Sequence, residues 1–277
     1  MTTTVVVTGA TGRVGRHVVA GLRAAGADVR ALSRRPKGGH VTGDLADPES
    51  LDSACAGADA AYLMWPFFGA DAAPAVVAAI ARHAKRIVLL SSGSVDGGVP
   101  GAEPIARFHA EVERAVEVGA PSWTVLRPAG FAANTLDWAP SIREDGVVRG
   151  AFPDAAGAWI HEKDIAAVAV KALLADGHRG RHYALTGPEV LTMAEQAHII
   201  GAVTGRPVRW QKQSEDDARA GLTAEGWPAT YADVALRVQE QLTRARPATT
   251  ATVADITGRR PRTFREWAGD HAAAFLP

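Results

Sequence analysis

Three glycines spaced three residues apart lie directly after a short run of β-branched residues near the start of the chain. The motif is TGATGRVG at 8–15, and it follows VVV at 5–7 and leads into an amphipathic helical pattern. Residues without Cβ let the backbone turn tightly and approach a pyrophosphate, whose charge then rests on the N–H groups of a helix N-terminus. In this context the motif predicts a dinucleotide site, the alternative being a turn that only caps a helix. The predicted contacts come from Gly9, Thr11, Gly12, Arg13, Val14 and Gly15.

The end of the second predicted strand indicates which nicotinamide cofactor binds. Proteins that bind NAD usually place an Asp or Glu there, which accepts hydrogen bonds from the ribose hydroxyls. This chain has Ser33-Arg34-Arg35 instead. Two guanidiniums bind a phosphate bidentately, so Arg34 and Arg35 favour the 2′-phosphate of NADP, with Arg13 reaching the same phosphate. The alternative is that Arg34, Arg35 and Lys37 form a solvated basic loop.

Two further strand ends supply candidates for the other parts of the cofactor. Asp44 and Leu45 follow the third predicted strand, where a carboxylate can accept from the adenine amino group while an apolar neighbour packs on the ring. A solvated turn is the alternative for Asp44. Met64 and Trp65 end the fourth strand and line the ribose and nicotinamide in this interpretation, although Trp65 fits an interface between lobes equally well.

The composition excludes several classes of protein. Hydrophobic residues make up 47% and charged residues 22% of the 277 residues, and 30 basic residues balance 30 acidic ones. No net field favours nucleic acid or an anionic membrane as a partner. With no recognisable targeting or membrane segment, we expect a soluble cytoplasmic monomer or homodimer that acts on a small-molecule substrate. The single cysteine, Cys55, fits a small apolar helix residue, and no metal site is predicted.

Short β-branched runs alternate with helical patterns from residue 5 to about residue 127. This alternation predicts an α/β fold with a doubly wound parallel sheet. The pattern weakens after Pro128, so we expect a dinucleotide-binding domain over 1–130, continued by segments of the C-terminal half. Residues 131–277 should form most of a smaller mixed α/β substrate lobe. The predicted strands are 5–8, 29–32, 40–42, 60–64, 87–91, 123–126, 183–185 and 208–211, and the later helices are 164–174, 193–203, 229–244 and 264–274.

Six segments carry a family resemblance. They are TGATGRVG at 8–15, SRR at 33–35, GDL at 43–45, LLSSGS at 89–94, FHAEVERAVEVGAPSWTVLRPAGFAAN at 108–134 and WIHEKDIAAVAVKALL at 159–174. With these segments the chain resembles the NmrA-like, NAD(P)H-binding branch of the atypical short-chain dehydrogenase/reductases. The resemblance implies a Rossmann-type domain, a smaller C-terminal substrate lobe and NADPH as the usual cofactor. It also implies activities like those of quinone, azo-dye and triphenylmethane reductases.

The usual proton donor of that superfamily is missing. Its reductases use a Tyr as the acid, with a Lys four residues later, and none of the three tyrosines here has such a lysine. By the resemblance, Ser92 takes the position of the family's Ser, while His109 and Glu113 stand in place of Tyr and Lys. Because they are four residues apart on one helical face, we expect Glu113 to raise the pKa of His109 and favour a proton-donating form. The alternative is a histidine at the margin of the core with a surface glutamate.

The resemblance places the substrate side of the site after the sixth strand, where family members cover the nicotinamide and begin the substrate pocket. Large aromatic residues more often pack than bind ligands, and Phe131 fits a core between the lobes equally well. His161 and Glu162, ahead of the helix from Asp164, are expected to cap or pack that helix. The residues assigned are Ser91 and Pro128 for the cofactor and Phe131, Asn134, Trp138 and Trp159 for the substrate.

Together these features predict an NADPH-dependent oxidoreductase that passes hydride to a small planar or quinone-like molecule. Quinones and azo compounds delocalise the charge that hydride brings, so they need little acid catalysis. Two alternatives stay open. One is a non-catalytic NADP-binding sensor or regulator, which the missing acid favours, and the other is a tailoring reductase or epimerase of secondary metabolism.

Overall fold

The structure is a computed structural model that describes residues 2–34, 39–96, 103–224 and 226–277. Arg35 and Lys37 of the predicted basic loop lie outside these residues. The strands are β1 (Thr4–Val7), β2 (Asp28–Ser33), β3 (Val41–Thr42), β4 (Ala60–Met64), β5 (Arg86–Leu90), β6 (Ser122–Pro128), β7 (Val147–Gly150), β8 (Ala156–Gly157), β9 (Arg181–Leu185), β10 (Leu191–Thr192) and β11 (Arg209–Lys212). The α-helices are α1 (Gly15–Ala24), α2 (Ser50–Cys55), α3 (Ala73–Ala81), α4 (Glu103–Gly119), α5 (Ala139–Asp145), α6 (Glu162–Leu174), α7 (Met193–Thr204), α8 (Glu215–Ala224), α9 (Ala229–Arg244), α10 (Thr252–Thr257), α11 (Phe264–Asp270) and α12 (Ala272–Phe275).

Seven parallel strands form the main sheet in the order β3-β2-β1-β4-β5-β6-β9. The central strand pairs on both sides, and Val5 of β1 lies opposite Val29 in β2 and Ala60 in β4. The direction of winding therefore reverses between β1 and β4. At such a switch point the carboxyl ends of the strands leave a crevice in which a ligand can bind. This arrangement confirms the predicted Rossmann-type, doubly wound sheet.

Alternate residues along the strands contribute to two apolar layers, one on each face of the sheet. Val5 and Val7 pack with α1 and α6, whereas Val6 packs with α2, α3 and α4. Cys55 is buried in the second of these layers, and burial raises the pKa of its thiol to about 11. The cysteine is therefore the apolar helix residue that the sequence predicts, and helices cover both faces of the sheet, as a parallel sheet requires.

Segments from beyond residue 131 extend the main sheet and also build a small lobe. β9 pairs with β6, and α6 packs against α1, so both elements belong to the main sheet and its helical layer. The lobe contains β8 paired with β10, β7 paired with β11, and a third apolar core around Phe264, Trp267 and Phe275. Among the described residues, no helix combines the length and the apolar character needed to cross a lipid bilayer.

Two features of the lobe differ from the sequence predictions. The predicted helix over 264–274 is divided into α11 and α12 at His271, which leaves the helical conformation with φ −114° and ψ 9°. There its Nδ1 lies 2.9 Å from the carbonyl oxygen of Trp267. The other difference is α8, for which the sequence predicts no element. None of its residues is buried, so no apolar periodicity marks it.

A buried cluster of polar residues joins the start of α6 to α11. His161 caps α6 as expected, because its Nδ1 accepts from the N–H of Lys163 at 3.1 Å. Glu162 is fully buried, and its Oε2 accepts from Trp267 Nε1 at 2.9 Å. The other carboxylate oxygen, Oε1, lies 2.9 Å from His271 Nε2. These contacts attach the C-terminal helices to the sheet layer.

Candidate functional site

The predicted glycine turn connects β1 to α1 at the carboxyl edge of the sheet. Gly9 has a φ of +59°, and a Cβ built on it would lie 2.5 Å from Met64 Cε. A Cβ on Gly15 would lie 2.1 Å from the carbonyl oxygen of Gly9, and the N–H of Gly12 donates to that oxygen at 2.9 Å. Side chains are thus excluded at the first and third glycines. The turn presents bare backbone, as close approach of a pyrophosphate requires.

The N-terminus of α1 offers the electrostatic complement of an anion. Val14 occupies the N-cap position, no side chain caps it, and the first turn has no acidic residue. The N–H groups of Arg16 and His17 bind backbone carbonyls, but within the described residues those of Val14 and Gly15 have no acceptor. These two groups and the partial positive charge of the helix are available to a ligand. Thr8 fixes the start of the turn, because its hydroxyl oxygen accepts from the N–H of Met64 at 2.8 Å. This cradle fits the pyrophosphate of a dinucleotide.

The side chain of Arg13 spans from this turn to the opposite side of the crevice. Nη1 donates to Asn134 Oδ1 at 3.2 Å, and Nη2 donates to Asp137 Oδ1 at 2.7 Å. Both acceptors lie in the 3₁₀ segment Ala132–Trp138, which follows β6. The sequence predicts this guanidinium at the 2′-phosphate beside Arg34. In the structure it is engaged instead with the predicted substrate side.

The predicted adenosine side of the crevice has an exposed cation and a self-contained turn. Arg34 is exposed directly after β2, whereas Arg35 lies outside the described residues. Asp44 Oδ1 accepts from the N–H of Ala46 at 3.0 Å, and Leu45 is buried. The carboxylate of Asp44 thus supports its own turn, so its contact with adenine and that of Leu45 stay predictions.

Met64 and Trp65, which follow each other at the end of β4, have different surroundings. Met64 Cε is the atom that a Cβ on Gly9 would meet, so this side chain lies against the glycine turn. Trp65 is 7% exposed, its Nε1 donates to the carbonyl of Gly69 at 2.8 Å, and its ring packs edge-on against Phe67. The structure therefore favours packing for Trp65 and leaves Met64 beside the predicted cofactor.

The loops after β5 and β6 touch at the same edge of the sheet. A Cβ on Gly93 would lie 3.0 Å from the carbonyl oxygen of Pro128. Ser92 is partly exposed, and its Oγ accepts a hydrogen bond from within its own turn at 2.9 Å. The hydroxyl of Ser91 is buried and donates to Glu113 Oε1. Ser92 and Pro128 therefore lie together at the crevice, whereas the side chain of Ser91 supports α4.

The prediction that Glu113 gives His109 a raised pKa and a proton-donating form is wrong. Burial lowers the pKa of His109 to about 4, and the charge of Glu113 opposes this shift only in part. Glu113 forms an ion pair with Arg127 instead, in which Nε lies 3.1 Å from Oε1 and Nη2 lies 2.5 Å from Oε2. His109 is consequently neutral near pH 7. It can donate one N–H hydrogen bond, but it is a poor proton donor.

Arg127 is the residue that sequence analysis misses. The predicted sixth strand ends at Leu126, whereas β6 continues to Pro128. The side chain of Arg127 is 13% exposed, and it binds Asp96 in addition to the glutamate on α4. A cation directly after a buried apolar strand needs a buried partner. That pattern is the signal in the sequence by which Arg127 could have been found.

The aromatic candidates of the substrate side are largely packed. Trp159 lies against Gly130 and Gly157, where a Cβ would come within 2.9 and 2.7 Å of its ring, and its Nε1 donates to a backbone carbonyl at 2.8 Å. Trp138 packs edge-on against another tryptophan ring at 5.7 Å. Phe131 is partly buried against the apolar layer that contains α1 and α6. The structure thus favours the packing alternative for both tryptophans.

α9 reaches across to the loop between β4 and α3. Tyr231 Oη donates to the carbonyl of Phe68 at 2.8 Å, and the two rings lie 4.4 Å apart. A groove of about 470 Å³ lies beside this contact. None of the predicted site residues is among the described residues that line this groove. Its described lining includes Phe68, Asp71, Pro104, Arg107 and Phe108.

Comparison with known proteins identifies relatives over the whole length. Residues 1–221 match the model of the NmrA-like family. The (4-alkanoyl-5-oxo-2,5-dihydrofuran-3-yl)methyl phosphate reductase of Streptomyces griseus subsp. griseus is 42% identical over 285 residues, covering 99% of each chain. The NAD(P)H azoreductase of Xenophilus azovorans is 33% identical, covering 98% of this chain and 99% of the relative. Among solved structures, the NADPH-dependent quinone oxidoreductase of Escherichia coli complexed with NADPH superimposes with a TM-score of 0.81 at 26% identity, covering 96% of this chain and 99% of that one.

Proposed function

The chain belongs to the NmrA-like family, and from that premise we propose that it is an NADPH-dependent reductase of a small, planar, conjugated acceptor. Relatives named as reductases, one of them 42% identical over the full length, support this assignment. When bound, NADPH supplies the hydride. The protein would hold the nicotinamide and the acceptor together at the carboxyl edge of the sheet, where proximity and orientation lower the barrier.

One observation carries the proposal: a glycine turn without room for side chains leads into an uncapped helix at the switch point of the sheet. Gly9 and Gly15 exclude any Cβ, and the first turn of α1 has neither a cap nor a carboxylate. The N–H groups from Arg13 to Gly15 would hold the pyrophosphate. Met64 beneath the turn and Arg34 after β2 would contact the ribose side and the 2′-phosphate.

The acceptor class follows from the lack of an effective proton donor among the predicted site residues. His109 is neutral near pH 7 because burial lowers its pKa to about 4, and no tyrosine of the chain has a lysine four residues on. The preferred acceptors are therefore those in which the incoming electron pair is delocalised. They are quinones, azo compounds and alkenes conjugated to two carbonyl groups, such as an acyl dihydrofuranone.

Oxidation of NADPH, followed by its absorbance, tests the proposal against one acceptor of each class. We expect turnover with at least one of them. The variant Gly15→Ala should lose NADPH binding, measured by cofactor fluorescence, because its Cβ would lie 2.1 Å from a backbone oxygen. Gly269→Ala is the matched control, since nothing lies within 4 Å of a Cβ there. The proposal is overturned if no acceptor accelerates NADPH oxidation.

A second candidate function is a sensor that binds NADPH without turnover. The observation that favours it is the low pKa of His109, the predicted proton donor, which burial lowers to about 4. The variant His109→Ala separates the two functions. Loss of turnover with unchanged NADPH affinity supports the reductase, whereas wild-type protein that binds NADPH tightly and reduces none of the acceptors supports the sensor.

A further inference from the structure

The contact of Arg13 with the segment after β6 has a consequence for the geometry of the crevice. In the main sheet, β4 and β5 lie between β1 and β6, so the ends of β1 and β6 are about 14 Å apart at a strand spacing near 4.8 Å. Arg13 follows β1, yet it binds Asn134 at 3.2 Å and Asp137 at 2.7 Å. The Arg13 side chain and the 3₁₀ segment Ala132–Trp138 therefore approach from opposite sides and together bridge the carboxyl ends of β4 and β5.

Those two strand ends carry the candidate residues of the reaction site. Met64 ends β4, and Ser92 follows β5. A nicotinamide held between them would lie beneath the segment that carries Asn134. Asn134 is exposed, so its side chain is accessible to a ligand in the crevice. It is also the single asparagine of the chain.

Arg13 fixes which end of the Asn134 amide is free. A guanidinium carries only donors, so the amide atom that faces Nη1 at 3.2 Å has to be the oxygen. The NH₂ group is thereby directed away from Arg13. Within the described residues it has no hydrogen-bond partner, and it is left as a donor.

We propose that Asn134, oriented by Arg13, donates a hydrogen bond to the acceptor oxygen that becomes negative during reduction. This inference rests on the proposed function and adds the group that compensates for the missing tyrosine. Hydride brings two electrons to a carbon of the acceptor, the π electrons move to the conjugated oxygen, and NADPH is oxidised to NADP⁺. The oxygen then takes a proton from water. A donor placed where charge develops stabilises that state.

The first test observes the Asn134 amide directly. Because the chain has one asparagine, protein labelled at the side-chain nitrogen of asparagine gives a single pair of NH₂ proton signals. The probe is p-nitrophenolate, a planar oxyanion with delocalised charge, added to the protein saturated with NADP⁺. We expect one of the two signals to move downfield, and nitrobenzene, which lacks the oxyanion, to leave it unchanged. In Arg13→Lys the response should be reduced.

The second test separates the roles of the two residues kinetically. Asn134→Ala should lower kcat by about 100-fold, as loss of one oxyanion donor does, with the Kd for NADPH unchanged. Arg13→Lys should lower kcat in the wild-type background and add nothing in the Asn134→Ala background, because a positioning residue acts only through its partner. The controls are Gln211→Ala, an exposed carboxamide outside the crevice, and Arg149→Lys, which has a similarly exposed aspartate partner.

The inference is overturned if the amide signals of wild-type protein do not respond to p-nitrophenolate. It is also overturned if Arg13→Lys lowers kcat by the same factor with and without Asn134. Failure of the proposed function looks different. In that case no acceptor is reduced by the wild-type protein, while the response of the amide to the oxyanion still reports on Asn134.

Discussion

Arg127 binds Glu113 through two nitrogens, with Nε 3.1 Å from Oε1 and Nη2 2.5 Å from Oε2. The glutamate side chain is only 3% exposed, and Oε1 also accepts from the hydroxyl of Ser91. Arg127 belongs to β6, Glu113 to α4, and Ser91 follows β5. One bidentate ion pair thus holds α4 against the strand ends, and with it the position of His109 on the same helix.

The variant Glu113→Gln should destabilise the fold by about 3 kcal/mol, because it leaves a buried guanidinium without its main partner. Urea unfolding measures the change. Glu111→Gln on the same helix is the matched control. Its partner, Arg107, is 82% exposed, so removal of that pair should change stability by less than about 1 kcal/mol. Equal effects of the two substitutions would contradict a structural role for the buried pair.

Turnover should not depend on protonation of His109 at physiological pH. Burial lowers its pKa to about 4, so the ring is neutral throughout the range in which an ordinary histidine titrates. An NMR titration of the imidazole protons should place the ionisation near that value. His109→Gln, which keeps a donor N–H, should retain more activity than His109→Ala. A bell-shaped profile with a histidine limb near pH 6.5 that disappears in both variants would contradict this.

The sequence predicts the fold more completely than the site. Val5 to Val7 and the glycines at 9, 12 and 15 locate β1 and the turn by local constraints alone, and the predicted family and sheet are both confirmed. The position of β9 beside β6 is a long-range pairing that periodicity cannot reveal. Contacts across the crevice are likewise invisible in the sequence. Arg13 with Asp137 joins residues 124 positions apart.

Burial decides the remaining differences at the site. A helical spacing of four brings Glu113 near His109, and from that spacing a raised histidine pKa follows. The expectation fails because desolvation of the ring outweighs the nearby charge and because Arg127, from a separate strand, takes the carboxylate. For Trp65, the sequence shows its place at a strand end but not its packing against Phe67.

Removal of the Tyr62 hydroxyl should stabilise the protein. The residue is fully buried in β4, burial raises its pKa, and among the described residues its oxygen has no hydrogen-bond partner. An unpaired buried hydroxyl costs about 1 kcal/mol or more, so Tyr62→Phe should raise the free energy of unfolding by about that amount. Tyr231→Phe is the control, because its hydroxyl donates to Phe68 and its loss should not stabilise. Destabilisation by Tyr62→Phe would reveal a buried water as partner.

The contact of His271 with Glu162 should make stability depend on pH. Both ring nitrogens face oxygens at 2.9 Å, Glu162 Oε1 and the carbonyl of Trp267, and only the doubly protonated ring can donate to both. The bond to Glu162 raises the pKa of His271, although burial opposes it. Burial by itself would raise the pKa of Glu162, but the contacts with His161 and His271 outweigh burial and lower it, so this carboxylate stays ionised.

The sign follows from linkage. A histidine whose pKa is raised in the folded state stabilises the fold fully at pH values below the ordinary histidine pKa. This stabilisation is lost as the pH rises through the raised pKa. His271→Gln should therefore be less stable than wild type at about pH 6, and the gap should narrow by about pH 9. Urea unfolding at the two pH values measures it. Arg16, whose Nη2 lies 3.6 Å from Glu162 Oε1, is present in both proteins, so it does not account for a difference between them. A gap that widens with pH would contradict the assignment.

Selectivity for NADPH over NADH should depend on Arg34 and not on Arg13. Arg34 is exposed after β2, where a 2′-phosphate is expected, whereas Arg13 is bound to Asn134 and Asp137 across the crevice. Arg34→Ala should lower NADPH affinity by about tenfold and leave NADH affinity unchanged, since a charge-assisted phosphate contact contributes about 1.4 kcal/mol or more. Arg13→Lys should leave the ratio of the two affinities unchanged. Fluorescence titration of each protein with both cofactors measures the ratio of NADPH affinity to NADH affinity. If this ratio falls as far in Arg13→Lys as in Arg34→Ala, Arg13 contacts the 2′-phosphate after all.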